Sequence, residues 1–580
     1  MNKEKRKCQN CSREFAIEPE DFAFYDKIKV PPPTWCPECR MVRRLQFRNE
    51  RTLYRFTCEL CGEPGISMYP DAAPFPVYCA NCWYSDKWDQ LSYARDYDFS
   101  RPFFEQWKDL FFKVPKASIF HRNVENAKYS NIVGESKNLY LSYSSTKNSE
   151  NVYYSKNIDH STDVFDCLNI VDVSRCYGIV DGTKDYNSKF LMSSQNCMDS
   201  SFLYDCANCR NCFLSAGLRN KEYVIRNKQY AKEEYAKEIK KFDTGSFSAV
   251  DALKKEFASM MEKTPRRYAV VLKSVDATGD NIVNSKNVKD SFDVYDMEDT
   301  RYVFRSFGTK GVYDANNIGN SELVYDFAGG GGMNSSGLMF SSNGIRDLRD
   351  IQYTDYCTTS SHLFGCASMR DKQYCILNKQ YSKEEYEALV PKIKEHMNDM
   401  PYVDARGRMY QYGEFFPPEM SSFAYNETIA QEYFPLSKEE VLERGYRWKD
   451  PEEKNYRITK KTSDLPDHIK DVDDSILEET VECAHGGRCT DQCTSAFRIV
   501  REELVLYRKF DLPLPRLCPN CRHYERLKLK NPLKLWHRSC MCDKPNHGHA
   551  GKCPNEFETS YAPDRPEIVY CEQCYNAEVV

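Results

Sequence analysis

Segment 136–167 reads SKNLYLSYSSTKNSENVYYSKNIDHSTDVFDC and contains three copies of one seven-residue pattern. The pattern is Ser or Thr, two variable residues, Val or Leu, an aromatic residue, one variable residue and a small residue. Neighbouring copies are mostly nine to fourteen residues apart. Short β-rich strands separated by polar turns bury their inward side chains only by stacking on the next strand, so the pattern predicts a parallel β-solenoid. Further copies begin at Ser200, Thr300, Thr309, Ser321 and Ser360.

The repeat region is itself duplicated. The run NKQYAKEEY, residues 227–235, returns as NKQYSKEEY at residues 378–386. Both runs lead into amphipathic helices, and Ser382 with Glu385 forms the signature of a capping box in the second. We expect these helices to cover the exposed end of each strand stack.

Both ends of the chain carry cysteine pairs at zinc-binding spacing. In the N-terminal part, Cys-x2-Cys pairs begin at Cys8, Cys36, Cys58 and Cys79 and make two sets of four thiolates. Residues 11–58 match residues 493–540 at a constant offset of 482, and residues 69–82 match 561–574 after a ten-residue insertion. The double module is therefore duplicated.

Each set of four thiolates is expected to hold one structural Zn²⁺, because soft sulfur binds zinc tightly and four thiolates leave no open position. A knuckle, which is a turn with a Cys-x2-Cys pair, a hairpin and a helix that starts at the second knuckle are typical of a treble clef. Alternating apolar residues between Phe15 and Ile28 predict the hairpin of the first copy. Spacing is irregular in the C-terminal copy, where Cys483, His485 and Cys553 are rival ligands. The predicted ligands are Cys8, Cys11, Cys36, Cys39, Cys58, Cys61, Cys79, Cys82, Cys489, Cys493, Cys518, Cys521, Cys540, Cys542, Cys571 and Cys574.

The predicted fold is mainly β: a parallel β-solenoid flanked at both ends by paired treble-clef or zinc-ribbon modules, with amphipathic capping helices. The predicted parts are an N-terminal double zinc module (1–95), a linker (96–125), a first solenoid half (126–230), a helical insertion (231–267), a second solenoid half (268–381), a capping helix (382–400), a wrapping connector (401–482) and a C-terminal double zinc module (483–580).

Basic residues follow the second knuckle at three- and four-residue steps, along a predicted helix from Arg40 to Arg51. Such a row can bind the phosphates of a nucleic acid without distinguishing its sequence. Alternatively, the same cations neutralise the thiolate clusters or form a solvated face. The predicted nucleic-acid-binding residues are Arg40, Arg43, Arg44, Arg48, Arg51, Arg522, Arg526, Lys528 and Lys530.

The middle of the chain offers little for catalysis, and no catalytic residue is assigned. None of the ten His residues precedes His121, and no motif that joins a nucleophile to a base is present. The cysteines of the repeat region are expected to fill corners of the core. Acidic residues at variable repeat positions would serve a carbohydrate-active enzyme if two converged, but we expect them to face solvent. They are Asp166, Asp199, Asp205, Asp296, Asp314 and Asp326.

Composition restricts the classes of function. The 580 residues include 81 Lys and Arg against 86 Asp and Glu, so any nucleic-acid surface must be local. Mean hydropathy is −0.69, and no apolar run is long enough for a membrane span or a secretory signal. The 27 cysteines favour metal binding in a reducing compartment over a disulfide framework. We expect a soluble cytoplasmic protein without a membrane partner.

Several runs resemble a known family over nearly the whole chain. They include VPPPTWCPECR (30–40), RRLQFRNER (43–51), VYCANCWYSDKWD (77–89), FFPPEMSSFAYNETIAQEYFPL (415–436) and SYAPDRPEIVYCEQCY (560–575). These runs are similar to uncharacterised cysteine-rich zinc-ribbon proteins of candidate-phyla-radiation bacteria. The resemblance implies paired zinc modules that bracket a repeat region, and it implies no established activity.

The sequence thus favours a non-enzymatic, zinc-stabilised scaffold or adaptor that presents basic treble-clef helices to RNA, DNA or a ribonucleoprotein. One alternative is a scaffold whose solenoid binds a protein partner without nucleic-acid contact. A β-helix carbohydrate-active enzyme is a more distant alternative.

Overall fold

The computed structural model describes residues 2–450 and 456–579. The protein is mainly β, with two long sheets of mostly parallel strands and cysteine clusters at both ends of the chain. Residues 451–455 of the predicted connector, and residues 1 and 580 of the predicted zinc modules, lie outside the described part. Within that part, every helix is too short or too polar to cross a lipid bilayer.

The first sheet contains 14 strands. Parallel neighbours pair at an offset of mostly 12 residues, as in Val164 with Cys176 and Leu191 with Leu203. The last strand pairs antiparallel with the strand before it. The strands are His121–Lys128, Val133–Tyr140, Tyr143–Lys147, Ser149–Tyr153, Lys156–Asp159, Thr162–Phe165, Leu168–Val171, Ser174–Tyr177, Val180–Thr183, Lys189–Met192, Ser201–Tyr204, Arg210–Ala216, Glu222–Ile225 and Lys228–Gln229.

The second sheet contains 11 strands and also ends with an antiparallel pair. One buried ladder runs through it, from Val288 through Thr300, Val312 and further strands to Cys375, and it includes Val312, Val324 and Leu363 from the fourth position of the seven-residue pattern. The strands are Val271–Leu272, Val275–Val283, Lys286–Tyr295, Glu298–Phe307, Lys310–Ile318, Glu322–Gly331, Ser336–Ser342, Arg349–Gln352, Ser361–Phe364, Gln373–Ile376 and Lys379–Gln380.

Residues in the left-handed conformation recur at every third position along much of both sheets. Asn123, Asn126 and Tyr129 begin the series, with φ of 49, 52 and 51°. Asn and Asp fill many of these positions, because their short polar side chains tolerate this conformation. Their amides also connect neighbouring strands: Asn126 Nδ2 donates to Asn138 Oδ1 and Asn138 Nδ2 to Asn151 Oδ1, both at 2.9 Å.

Helices cover one end of each sheet. Helices Lys232–Glu238 and Phe247–Lys263 follow the first sheet, and Phe257 packs in one core with Phe202 and Phe213 of that sheet. The remaining helices are Pro19–Ile28, Pro37–Leu45, Ala80–Trp83, Phe103–Phe111, Lys383–Asp399, Ile429–Tyr433, Lys438–Glu443, Arg501–Phe510, Pro519–Leu527 and Glu572–Val579.

The helix after the second sheet starts with the predicted capping box. Ser382 Oγ accepts the Glu385 N–H at 3.2 Å, and the Glu385 carboxylate accepts the Ser382 N–H at 2.9 Å. Tyr386, Ile393 and Met397 on this helix are buried. The helix thereby covers apolar surface at the end of the second sheet.

Short two-stranded sheets and 3₁₀ helices complete the fold. The remaining strands are Glu4–Lys7, Glu14–Ile17, Tyr54–Thr57, Pro64–Ser67, Val77–Tyr78, Lys116–Ala117, Arg266–Arg267, Tyr402–Val403, Met409–Tyr410, Val481–Glu482, Ala496–Phe497, Trp536–Ser539, Glu556–Thr559 and Val569–Tyr570. The 3₁₀ helices are Gln90–Tyr93, Ile239–Lys241, Pro418–Met420, Tyr425–Glu427, Thr462–Asp464, Ile469–Asp471, Asp474–Glu478 and Pro545–His547.

Two elements of the N-terminal module differ from expectation. Segment 19–28 is a helix rather than part of a hairpin, because Pro19 starts it and Glu18 and Asp21 form its capping box. The knuckle helix is Pro37–Leu45 instead of 40–51, since Pro37 occupies its first turn directly after Cys36. The segment expected as a linker, 96–125, carries helix Phe103–Phe111, whose Trp107 is fully buried.

Candidate metal centres and their basic helices

Four groups of four cysteines bring their sulfur atoms within 4.8 Å of one another. A tetrahedral ion with Zn–S bonds of about 2.3 Å requires sulfur atoms about 3.8 Å apart. Cys11 and Cys36 are 3.8 Å apart, and Cys61 and Cys79 are 4.0 Å apart. The groups are therefore positioned to bind metal ions, which is consistent with zinc. They are Cys8, Cys11, Cys36 and Cys39; Cys58, Cys61, Cys79 and Cys82; Cys483, Cys493, Cys518 and Cys521; and Cys540, Cys553, Cys571 and Cys574.

The same backbone geometry builds every group. A strand ends at the residue before the first cysteine, and a helix begins after the third. The first sulfur accepts the backbone N–H of the third cysteine at 3.2 Å in all four groups. Such donors stabilise thiolates: burial raises the pKa of Cys58, but the N–H groups of Cys79, Cys61 and Leu60 outweigh it and lower the pKa to about 7.

In the third group the first ligand is Cys483, and the predicted ligand Cys489 lies beside the group. Strand Val481–Glu482 pairs with Ala496–Phe497, as Glu4–Lys7 pairs with Glu14–Ile17 in the first group. Cys483 thus follows its strand directly. The position relative to the hairpin, not the spacing between cysteines, decides which sulfur enters the group.

In the fourth group Cys553 takes the place predicted for Cys542. Cys553 lies three residues before strand Glu556–Thr559, and Cys61 lies three residues before strand Pro64–Ser67. Cys542 Sγ instead lies 3.1 Å from His547 Nδ1, in the loop between the first two ligands.

The sequence contained a signal for Cys553. The offset of 492 that relates residues 69–82 to 561–574 also relates Cys61 to Cys553. The ten-residue insertion therefore separates the first two ligands of the fourth group. Cys483 is recognisable only from the strand pairing, because a second insertion hides its equivalence to Cys8.

The arginines of the first knuckle helix, Pro37–Leu45, are buried against the second sheet. Arg40 and Arg44 contact Asp314 at 2.8 and 3.2 Å. Arg43 and Arg44 contact Asp326 at 3.1 and 2.9 Å. The helix that begins at a metal knuckle is therefore attached by ion pairs to a sheet far away in the sequence.

Glu414 completes this network by contacting Arg43 at 2.9 Å. Three guanidinium groups then face three carboxylates, and each of these side chains is 5% exposed or less. Burial raises the pKa of Asp326, and Arg43 and Arg44 act against that rise. The network is neutral as a whole, but the loss of one member leaves an uncompensated buried charge.

The C-terminal knuckle helix, Pro519–Leu527, repeats the arrangement on the first sheet. Arg522 and Arg526 each contact Asp166 at 2.7 Å, and Arg522 also contacts Glu503 at 3.1 Å. At the offset of 482, these two arginines are the counterparts of the two that hold Asp314. Both copies of the module thus keep the same pair of arginines and attach them to sheet carboxylates.

The carboxylates that receive these arginines share one position in the repeat. Asp166, Asp314 and Asp326 are sixth in the seven-residue pattern and have left-handed φ of 52, 54 and 48°. They were expected to face solvent, but the knuckle helices bury them. Asp296 occupies the same position with φ of 56° and is exposed. The repeat position is therefore the same in both cases, and only the tertiary packing differs.

Arg48 and Arg51 are paired as well. Arg48 contacts Glu50 at 2.6 Å, and Arg51 contacts Glu432 at 3.7 Å. Lys156 of the first sheet contacts both of these carboxylates, at 2.8 Å to Glu50 and 2.5 Å to Glu432. The N-terminal module therefore also contacts the first sheet through a buried charge network.

Lys530 contacts both sheets at once. Its Nζ lies 2.7 Å from Asp181 of the first sheet and 3.2 Å from Asp293 of the second. Lys528 contacts Asp491 at 2.8 Å, and its side chain is 63% exposed.

These contacts correct the expectation that the cations line a surface. Eight of the nine predicted side chains are 11% exposed or less, and Lys528 is the exposed one. An arginine outside the predicted set contacts a thiolate group, since Arg13 Nε donates to Cys11 Sγ at 3.4 Å. The physical reason is that sheet carboxylates, rather than solvent or sulfur, lie beneath the knuckle helices.

Each pair of modules also pairs one short strand with the segment that precedes one of the two sheets in the sequence. Val77–Tyr78 pairs in parallel with Lys116–Ala117, which leads into the first sheet. Val569–Tyr570 pairs in parallel with Arg266–Arg267, which leads into the second sheet. The arginines of each pair are bound to the other sheet, so the two pairs of modules connect the sheets crosswise.

The cysteines of the two sheets are part of the core, as predicted. Cys167 and Cys206 are 0 and 1% exposed and pack with aliphatic side chains. Each sulfur donates to the carbonyl oxygen two residues earlier, Phe165 or Tyr204, at 3.3 Å. Burial raises the pKa of Cys167 to about 12. These two thiols therefore have backbone acceptors within the core.

Comparison with known proteins adds little. No protein-family model matches the chain, and no curated protein matches it. Among solved structures, a "putative acetyltransferase from Desulfovibrio desulfuricans G20" aligns at 10% identity with a TM-score of 0.10. That alignment covers 52% of this chain and 77% of the other. A similarity of this size carries no argument about fold or function.

Proposed function

We propose that this chain is a non-enzymatic scaffold in which zinc-bound modules hold two β-solenoids in a fixed arrangement. The observation that carries the proposal is that each pair of modules forms ion pairs with both sheets. A small zinc module folds only when its ion is bound. Metal binding would therefore control whether the two sheets stay connected.

Three features support the solenoid interpretation. Parallel strands pair at an offset of mostly 12 residues, left-handed residues recur every three positions, and a continuous buried ladder runs through the second sheet. A coil of stacked turns requires all three, because each turn must bend regularly and bury its side chains on the next.

A protein partner suits this scaffold better than a nucleic acid. Binding to the phosphate backbone of a nucleic acid requires exposed cations on the protein. The predicted nucleic-acid-binding cations are mostly buried in ion pairs. The first sheet instead exposes Tyr186 and Met198, which are 37 and 38% exposed and lie on neighbouring strand positions. Arg175 and Arg210 flank them. Tyr, Met and Arg are the residue types enriched at protein interfaces.

The cellular location proposed is the reducing cytoplasm. All 27 cysteines are free thiols, and nine of them lie in the strands of the two sheets or in the turns between those strands. An oxidising compartment would expose the thiolate groups to disulfide formation in competition with metal binding. The reducing cytoplasm keeps the thiolate groups available for metal binding.

The central test removes the metal from purified full-length protein with a strong chelator. Hydrogen exchange is then measured by mass spectrometry in strands Lys310–Ile318 and Glu322–Gly331, which carry Asp314 and Asp326 but no metal ligand. We expect exchange in both strands to accelerate along with helix Pro37–Leu45, and to return to its original rate when Zn²⁺ is restored. Exchange protection of the strands should depend on the metal, because the knuckle helix that covers the strands folds only when the metal is bound.

Elemental analysis serves as the control, since it reports whether the thiolate groups are empty. Unchanged exchange in both strands after complete metal loss would reject the scaffold proposal. Retention of fewer than two ions per chain in gently purified protein would reject it as well.

Nucleic-acid presentation remains the rival function and has a separate test. Fluorescence anisotropy with RNA and DNA is measured between about 50 and 200 mM salt, where phosphate contacts produce a steep loss of affinity. The scaffold proposal expects weak binding with little salt dependence. A steep slope that becomes shallower in Lys528→Ala would favour the nucleic-acid function instead.

A further inference from the structure

The third thiolate group has two additional donors in the loop between its first two ligands. Within this loop, residues 484–492, His485 and Cys489 each place a ligand atom within 4.8 Å of the Cys521 sulfur and of each other. Cys489 Sγ is 3.7 Å from Cys521 Sγ, which is close to the sulfur separation around a tetrahedral zinc ion. In the first group the corresponding loop is only Gln9 and Asn10.

His485 points to a ligand that is not protein. In residues 2–450 and 456–579, its buried Nδ1 has no hydrogen-bond partner. A buried polar nitrogen without a partner is costly, and a metal ion is a common partner of a neutral imidazole. Turns hold the loop in place: the Gly486 N–H donates to Cys483 O at 2.7 Å and the Arg488 N–H donates to His485 O at 3.0 Å.

Charge and burial place a second ion on the solvent side of the first. Four thiolates around one Zn²⁺ carry an excess of negative charge that another cation reduces. Cys483, Cys518 and Cys521 are buried, whereas His485 and Cys489 are half-buried. The additional donors therefore lie where an ion can exchange with solvent.

We propose that Cys521 bridges two zinc ions. One is the structural ion of Cys483, Cys493, Cys518 and Cys521, and the other is bound by Cys521, Cys489 and His485. With three protein ligands, the second ion keeps an open position for water and is exchangeable, unlike a four-thiolate site. This inference rests on the proposed zinc binding of the third group.

The test compares wild type with the double variant His485→Ala/Cys489→Ser. Zinc per chain is counted by elemental analysis and by native mass spectrometry of the full-length protein. We expect the double variant to hold one ion fewer than wild type while its circular dichroism is unchanged. His362→Ala is the matched control, because His362 lies on the second sheet, away from the thiolate groups, and this variant should keep the wild-type count.

Exchange kinetics give an independent readout. A chromophoric chelator should remove one ion from wild type in a fast phase, and this phase should be absent in the double variant. Equal counts and equal kinetics in both proteins would overturn the proposal. So would loss of exchange protection in helix Pro519–Leu527 of the double variant, since Cys489 would then be a structural ligand. Neither result affects the exchange of the sheet strands that tests the scaffold function.

Discussion

The substitution Asp326→Asn tests whether buried charge attaches the N-terminal module to the second sheet. Asn is nearly the same size as Asp and tolerates the left-handed φ of 48° at this position, so the backbone should be preserved. Arg43 then keeps Glu414 at 2.9 Å, and Arg44 keeps Asp314 at 3.2 Å. The buried network, neutral before the change, is left with one uncompensated positive charge.

Breaking a buried ion pair by removal of one partner costs about 3–5 kcal/mol. Because both arginines keep one carboxylate, we expect a cost of about 3 kcal/mol, near the lower end. Asp296→Asn is the matched control, since Asp296 has the same repeat position and a φ of 56° but is exposed. Its substitution should change stability by no more than about 0.5 kcal/mol.

The assay is native-state hydrogen exchange of helix Pro37–Leu45. A chain of this size does not unfold in one two-state step, so the free energy of local opening is the quantity to compare. Asp326→Asn should lower the opening free energy of this helix, and Asp296→Asn should leave it as in wild type. Equal opening free energies in the two variants would refute the argument that buried ion pairs hold the module on the sheet.

Three further predictions concern the ligands, one acid in the core and the second module. Cys483→Ser should remove one ion and unfold the third module, as reported by elemental analysis and near-ultraviolet circular dichroism; an unchanged count would contradict the assignment. Burial raises the pKa of Asp185 to about 7, so the folded state keeps a proton that the unfolded state loses above about pH 4. The free energy of local opening of strands Val180–Thr183 and Lys189–Met192 should therefore fall between about pH 4 and 7 in wild type but not in Asp185→Asn, and parallel hydrogen-exchange profiles would argue against this. Arg526→Met should cost several kcal/mol because Asp166 keeps only Arg522, and hydrogen exchange of helix Pro519–Leu527 should detect the loss.

The repeat pattern predicted the sheets because it acts through local geometry. An aliphatic residue at the fourth position is buried in every copy, and Val312, Val324 and Leu363 accordingly belong to one buried ladder. The N-terminal thiolate groups were predictable for a similar reason. Two residues separate the cysteines within each pair, and the two pairs of a group are at most 28 residues apart, so each group forms from one short segment of the chain.

The C-terminal ligands were only partly predictable. Insertions separate Cys483 from Cys493 and Cys540 from Cys553, so spacing alone favoured Cys489 and Cys542. Strand pairing overrides spacing, because the hairpin determines which sulfur faces the ion.

The sequence by itself determined the strands, the polar turns between them, the duplicated modules and the cations of the knuckle helices. Tertiary structure alone decided what those cations bind. Asp296 and Asp326 occupy the same repeat position, yet Asp326 is buried by Arg44, which lies 282 residues away in the chain. Local pattern determines backbone conformation, whereas burial of a charge depends on which distant surface covers it. Desolvation then makes the covering arginine an obligatory ion-pair partner.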